Sequence, residues 1–507
     1  VGEAGNPHRA QWHTVVGCAI ISWWIGVCAS AYGQAPYDRG RNAVIPPPEG
    51  GTANPESQVL PIDLPTALRI VDASNPTIAL ARERVREAYA RQRQAEALWL
   101  PNLDTGPAYV RHDGRLQNSS GLVFPVSKSN FFMGGGAALR VETADALFAP
   151  LIARRLTDAQ AAAARAVSDN VQLDVALTYL DLVRVYGALA INADSLARAE
   201  EMLRRAEAAS KTNLSRSTAD VTRARTEYNL RQEERIDLEG QAAAVSARLA
   251  QLLLLQPTVD LRPADPAIVP IALVPATIPL DELVALGLMN RPELAESRTL
   301  VAAALARWRQ ARVGPFLPRL EVTYYAGTFG GGTHEEMDNF GSRGDGTVQA
   351  IWELRNLGVG DLARARERRA QYNEANFHVI EVQAQVGAEV AAAAKLARSR
   401  ERALANAQTA VREAAETWRR LDAASFGLAN PREKLLSTLE PLIAVQTLSQ
   451  ARLQYLTQVI EYNKAQFRLY TAMGQPSIQA LAEAVPLAVQ TPVVPPIYQP
   501  TAAPLKP

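Results

Sequence analysis

The chain has 507 residues, with 53 lysines and arginines against 52 aspartates and glutamates, for a net charge of +1. There is no basic surplus to hold nucleic acid, and an aromatic content of 6% is too sparse for a base-stacking platform. The only cysteines are Cys18 and Cys28, so no disulfide framework or thiolate zinc site is possible beyond residue 28. The five histidines are scattered, and His334-Glu335 fails as a zinc-protease motif because position 338 is Asp338. No convergent polar cluster suggests an enzyme, a metal site or a cofactor.

Residues 1–31 read as an export signal. His8, Arg9 and His13 precede an apolar run from Val15 to Ala29, and Ala29-Ser30-Ala31 fits a small-x-small cleavage site. The alternative is a membrane-anchored N-terminus. Residues 32–61, with Pro46-Pro47-Pro48 and Gly50-Gly51, have linker composition, and 479–507 is expected to be a Pro-rich disordered tail.

Between these lies a duplication, 62–256 and 280–478. Asn75-Pro76 answers Arg291-Pro292, and Leu100-Pro101-Asn102-Leu103 answers Leu317-Pro318-Arg319-Leu320, at offsets of 216 and 217 residues. Each copy opens with a helical stretch broken at its X-Pro pair and stopped by the proline of Leu-Pro-x-Leu. The connector 257–279 carries Pro257, Pro263, Pro266, Pro270, Pro275 and Pro279, and must run extended.

After each Leu-Pro the texture changes to Gly, Thr, Tyr and Phe. Leu320, Val322, Tyr324, Ala326 and Thr328 alternate with Glu321, Thr323, Tyr325, Gly327 and Phe329, and the triplet Gly330-Gly331-Gly332 then opens a loop. Val348, Ala350, Trp352 and Leu354 alternate with Thr347, Gln349, Ile351 and Glu353. This period of two predicts strands over about 319–329 and 346–355. In the first copy the expected strands are about 101–112 and 131–142, interrupted by Gly106-Pro107 and Gly134-Gly135-Gly136.

Each copy then enters a long helix read as free of proline. The first spans Leu147 to Ser210, turns at Lys211–Arg216, and returns as a helix to Gln256. In the second, Val386, Val390, Ala393, Ala397, Leu404, Ala407, Val411, Ala414, Trp418 and Leu421 keep a coiled-coil spacing that only Arg400 breaks. A continuous helix over Leu357–Leu421 would be about 100 Å long. Its turn lies near Phe426–Asn430, Asn430-Pro431 reads as a helix start, and Pro441 implies a second start or kink. The fold class is therefore mainly α: a duplicated helix–strand–strand–long helix–helix plan with four strands per chain and long antiparallel coiled coils. Four strands in lipid cannot remain an open sheet, so the sheet would have to close with other copies; two would supply eight strands and three would supply twelve.

The order of elements, the duplication, the Leu-Pro-x-Leu entries, the run Trp352-Glu353-Leu354-Arg355-Asn356-Leu357-Gly358 and the triplet Ala219-Asp220-Val221 together resemble the TolC-like outer-membrane efflux proteins, over roughly 62–478. The resemblance implies a homotrimer with a β-barrel in outer-membrane lipid and a helical tunnel in the periplasm. It also implies passive conduction of substrates passed on by a periplasmic adaptor and an inner-membrane pump. By the same resemblance, Glu440 and Ile443 match the periplasmic gate, where the family can carry two acidic residues, and Asn213-Leu214-Ser215 and Gly427-Leu428-Ala429 match the adaptor-contacting tips. Glu440 could equally cap the helix beginning at Pro441. Tyr324, Val348 and Trp352 are the expected barrel-strand residues. A periplasmic adaptor or a structural coiled-coil protein without a channel is the alternative; neither accounts for glycine- and aromatic-rich strand pairs at matching positions of both halves.

Overall fold

The computed structural model describes residues 59–211, 217–265, 267–334, 336–426, 439–479 and 485–486. The expected signal, most of the expected linker, both hairpin tips and the end of the chain lie outside the described residues.

The first copy begins with strand β1 (Val59–Ile62) and helices α1 (Leu64–Ser74) and α2 (Pro76–Glu96). Asp63 caps α1 by accepting from the Thr66 N–H at 2.8 Å. Asn75 caps α2 at 2.9 Å, with Pro76 placed where a missing N–H costs nothing. A short 3₁₀ turn, Ala97–Trp99, leads into strands β2 (Asn102–Gln117) and β3 (Val123–Glu142). Helix α3 (Thr143–Lys211) and helix α4 (Ser217–Leu253) form the first long hairpin. Strands β4 (Asp260–Pro263) and β5 (Ile271–Ala272) fall in the proline-rich connector.

The second copy repeats the plan with α5 (Leu280–Asn290), α6 (Pro292–Val313), a 3₁₀ turn Gly314–Phe316, β6 (Arg319–Thr333), β7 (Gly341–Ile351), α7 (Val359–Phe426) and α8 (Leu439–Ala472). Leu64 and Leu280 open α1 and α5, 216 residues apart, and Thr143 and Val359 open α3 and α7 at the same offset. A final pair of residues, Val485–Pro486, forms β8.

β2, β3, β6 and β7 make one antiparallel sheet in that order. The other pairings are small: β1 runs parallel to β4, and β5 runs antiparallel to β8. Two expectations are thereby corrected. Residues 59–61, expected as linker, belong to strand β1, and 485–486 are paired rather than disordered. In both cases a partner in the connector supplies the backbone hydrogen bonds that local sequence could not announce.

The strand bounds also differ from expectation. The glycine triplet 330–332 does not open a loop but continues β6 to Thr333, because Gly331 faces the backbone of Ser129–Asn130 and Gly330 receives the Phe340 ring. Gly134 and Gly136 likewise stay in β3, each pressed against the backbone of β6. Trp352 lies one residue beyond β7. Its position in the ladder would be opposite Pro318, which has no N–H, so pairing ends at Arg319↔Ile351.

α3 begins at Thr143 and contains Pro150, correcting the expected proline-free helix from Leu147. Pro150 cannot donate to the carbonyl of Ala146 one turn earlier. That carbonyl instead accepts the Trp99 indole N–H at 3.1 Å. The helix thus crosses its proline without leaving a buried acceptor unpaired. α4 stops at Leu253, short of Gln256, where Leu254 turns to φ 56°. α8 starts at Leu439 with Pro441 in its first turn, consistent with the expected second start; the Asn430-Pro431 start lies outside the described residues.

The main core lies where α1, α3, α4, α5, α7 and α8 meet at mid-length. It is built from Leu68, Val71, Val175, Leu182, Ile191, Leu249, Leu283, Val390, Leu456, Ile460 and Phe467. A smaller core, Leu404, Ala407, Val411, Tyr455, Val459 and Tyr462, continues along the α7/α8 hairpin. Arg400 sits between them and reaches Gln458 at 3.4 Å, so the break read in the seam is a break in the core. Among the described residues no helix is long and apolar enough to cross a membrane.

Replacing Trp99 by Phe should leave the Ala146 carbonyl unpaired beside Pro150 and cost about 1–2 kcal/mol. Thermal unfolding should show the loss, and Trp99→Phe combined with Pro150→Ala should recover most of it.

Candidate functional site

The four-stranded sheet has two unlike faces. Strand residues alternate sides, and the register aligns the alternation across all four strands. One face carries Leu103 and Tyr109 of β2, Met133, Ala137 and Leu139 of β3, Leu320, Val322, Tyr324 and Ala326 of β6, and Val348 and Ala350 of β7. Tyr324 is 60% exposed and Val348 81% exposed, so this apolar face has no cover among the described residues.

The opposite face carries internally paired polar side chains in its lower part, with Ala108, Val110, Phe132 and Phe329 further up. The Tyr325 hydroxyl donates to Asp104 at 2.9 Å, Arg140 meets Glu321 at 2.9 Å, and Arg343 meets Asp345 at 2.8 Å. The Arg343 guanidinium also lies over the Phe329 ring, 4.7 Å from its centroid. Among the described residues no strand lies beside the outer edges of β2 and β7, so each presents a row of unpaired backbone groups.

At the foot of the sheet stands a band of exposed apolar side chains. Trp99, Leu100, Phe316, Trp352 and Leu354 belong to it, and Leu357 is 96% exposed. Asn356 and Leu357 both take left-handed backbone (φ 52° and 58°), which turns the chain from β7 into α7. Trp352 therefore belongs to this band rather than to the strand in which it was expected.

Of the expected gate residues, Glu440 is exposed and Ile443 is 50% exposed, both in the first turns of α8. The expected tips, Asn213, Leu214, Ser215, Gly427, Leu428 and Ala429, lie outside the described residues. What sequence reading missed is a series of polar links that tie α8 to the first hairpin. Gln446 donates to Glu227 of α4 at 2.6 Å, Arg452 meets Asp194 of α3 at 2.6 Å, and Lys464 meets Asp181 of α3 at 2.7 Å. Arg198 shares Asp194 and lies over the Trp418 ring of α7 at 5.0 Å. Burial pushes the Asp194 carboxyl up, but hydrogen bonds and charge from Arg198 and Arg452 outweigh it and hold the group below the usual range. Local sequence carries no signal for these links: Lys464 shares the run Ile460–Phe467 with Glu461, Asn463 and Gln466 and does not stand out.

A second polar joint connects α3, α6 and α7. Arg291 precedes Pro292 as Asn75 precedes Pro76, yet makes no cap; its guanidinium meets Glu389 at 2.7 Å and Glu293 at 3.1 Å. Asp169 of α3 faces this joint. Burial and the Glu293 charge push its carboxyl up to about 6, against a smaller opposing pull from Arg291 and Arg165. Among the described residues no His/Cys/Asp/Glu group could hold a metal ion.

No protein-family model and no curated protein matches the sequence. Solved structures do. A membrane protein from Pseudomonas aeruginosa superposes with a TM-score of 0.68 at 16% identity, covering 85% of this chain and 98% of that one. The outer membrane protein VceC of Vibrio cholerae gives 0.65 at 16% identity, covering 81% and 96%. The open state of the MtrE outer membrane channel of Neisseria gonorrhoeae gives 0.64 at 17% identity, covering 82% and 89%. The chain has the fold of these outer-membrane proteins.

Because the Asp169 carboxyl titrates higher in the folded chain than at its ordinary 3.8, the folded state binds more protons between those values. This group's contribution to stability is therefore greatest below about pH 4 and is lost as pH rises through about 6. Asp169→Asn should match the wild type in thermal unfolding near pH 4 and exceed it increasingly up to pH 6.5, where the gap should level off.

Proposed function

We propose that the chain is the outer-membrane channel of a tripartite efflux or secretion system, closed as a homotrimer. The observation that carries this is the four-stranded sheet with both edges open, one face apolar and the other carrying the ion pairs. A backbone edge cannot face hydrocarbon unpaired, so β2 of one copy must pair with β7 of the next. Three copies bring twelve strands, within the range of outer-membrane barrels. The apolar face then meets lipid, the ion-paired face lines the lumen, and the band around Trp99, Phe316 and Trp352 sits at the periplasmic interface, where aromatic rings partition well.

The long hairpins α3/α4 and α7/α8 form the periplasmic tunnel. At its far end Glu440 and Ile443 narrow the opening, and the tips at 213–215 and 427–429 meet a periplasmic adaptor that leads to an inner-membrane pump. Conduction is passive: the chain supplies a walled path and the pump supplies the energy. The likeness in fold to outer-membrane channels supports this reading.

A purified sample should run as a trimer in mild detergent, dissociate on heating, and conduct ions in planar bilayers. Val348→Arg places a charge on the lipid face and should cost about 2–4 kcal/mol per copy at mid-membrane, lowering the dissociation temperature. Thr347→Arg, its neighbour on the polar face, should leave that temperature nearly unchanged while altering ion selectivity. Equal loss from both substitutions, or a monomer without conductance, would overturn the proposal.

A further inference from the structure

The β2–β3 ribbon outruns the rest of the sheet. Pairing of β3 with β6 ends at Lys128↔Thr333, whereas β2 and β3 continue together for five more pairs, from Asp113↔Ser127 to Gln117↔Val123. Asn118 closes the turn by accepting from the N–H groups of Ser120 and Leu122 at 3.1 and 3.0 Å. At about 3.3 Å per residue the projection is about 17 Å long.

Polarity changes sides on this projection. On the face that is apolar lower down, the ribbon carries Asp113 and Arg115, with Asp113 held by the Ser127 hydroxyl at 2.5 Å and by Arg111, just below the projection, at 2.6 Å. On the face that is polar lower down, it carries Leu116, opposite Phe124, with Val126 one step below. Phe124 is 43% exposed, and Leu122 in the turn is 67% exposed. The charged side excludes burial in lipid. The ribbon therefore stands above the hydrocarbon and keeps an uncovered apolar face in water.

We infer that Leu116, Phe124 and Val126 of three copies meet across the outer mouth and form an apolar constriction there. This rests on the trimeric channel reading, because the occupant of each face is the same face of the two sister chains. Continuity of register supports the direction: residues on that face lower in the sheet, Asp104, Arg140, Glu321 and Tyr325, are the ones assigned to the lumen. Length supports it too. Twelve strands about 4.8 Å apart and tilted about 40° enclose a radius of about 12 Å, less than the reach of the ribbon. A ring of apolar side chains of this kind impedes ions by dewetting and yields to a substrate that wets it.

The test uses the full chain with Cys18→Ser and Cys28→Ser, so that an added thiol is alone. Phe124→Cys should crosslink between copies of the assembled trimer with a short bismaleimide, whereas Val348→Cys on the lipid face should not. Leu116→Ser with Phe124→Ser should leave the heat-sensitive trimer intact and raise single-channel conductance at least about twofold. A conducting Phe124→Cys trimer that does not crosslink overturns the inference. So does a double serine variant of wild-type conductance, or a Phe124→Cys thiol labelled only by lipid-soluble maleimide. Absence of a trimer in the wild type instead sinks the channel reading, and this inference with it.

Discussion

The backbone edges of β2 and β7 constrain everything else about this chain. Inside one copy the sheet ends on both sides with unpaired N–H and C=O groups, along sixteen residues of β2 and eleven of β7. In water such edges invite pairing with any extended chain. In lipid each unpaired group costs several kcal/mol. On the proposed channel reading, closure with sister copies removes both problems at once, and the membrane rather than another layer of protein covers the apolar face.

The duplication supplies two hairpins of similar length but unlike attachment. α3 is gripped on several sides, by α2, α4, α6 and α8, and carries much of the main core. α8 is attached to it by Lys464–Asp181 and Arg452–Asp194 and to α4 by Gln446–Glu227. These links need defined geometry, unlike methyl contacts, which tolerate sliding. Half-buried ion pairs contribute little net stability against an apolar alternative but penalise any arrangement that separates one partner from the other. They therefore set register between the two hairpins more than they hold them together.

Much of the fold was legible because it is punctuated by proline. Asn75-Pro76 and Arg291-Pro292 mark where α1 and α5 stop, while α2 and α6 end at Glu96 and Val313 and pass through 3₁₀ turns to the two Leu-Pro-x-Leu sites. The faces of β6 could be read from the alternation of Leu320, Val322 and Tyr324 with Arg319, Glu321 and Thr323, which sets the side of every later residue. β7 begins earlier than alternation suggests because Gly341–Gly346 has no apolar member to set a period. Pro150 is plain in the sequence, but what lets the helix cross it is not: the Trp99 indole that pairs the Ala146 carbonyl comes from another element. The links on α8 join residues more than 200 positions apart, so no local pattern could pair them. Glu440 and Ile443 were placed by resemblance, and the described residues bring no second gate residue to them.

Arg400 illustrates how a single departure from pattern acquires physical meaning only in three dimensions. In sequence it is one charged residue in a coiled-coil seam. In the fold it falls where the main core ends at Ala397 and the smaller core begins at Leu404. A guanidinium there replaces an apolar knob, so the two cores cannot merge into one continuous seam. Its partner, Gln458 of α8, is a neutral side chain at 3.4 Å, and the Arg400 Nε is buried without an acceptor among the described residues. Such a group costs about 1–3 kcal/mol relative to a satisfied one. A seam built for maximal stability would have leucine at this position. Retaining arginine divides α7 into two packed segments, one anchored in the main core and one held against Tyr455, Val459 and Tyr462 of α8, whose other face still joins the main core through Leu456 and Ile460.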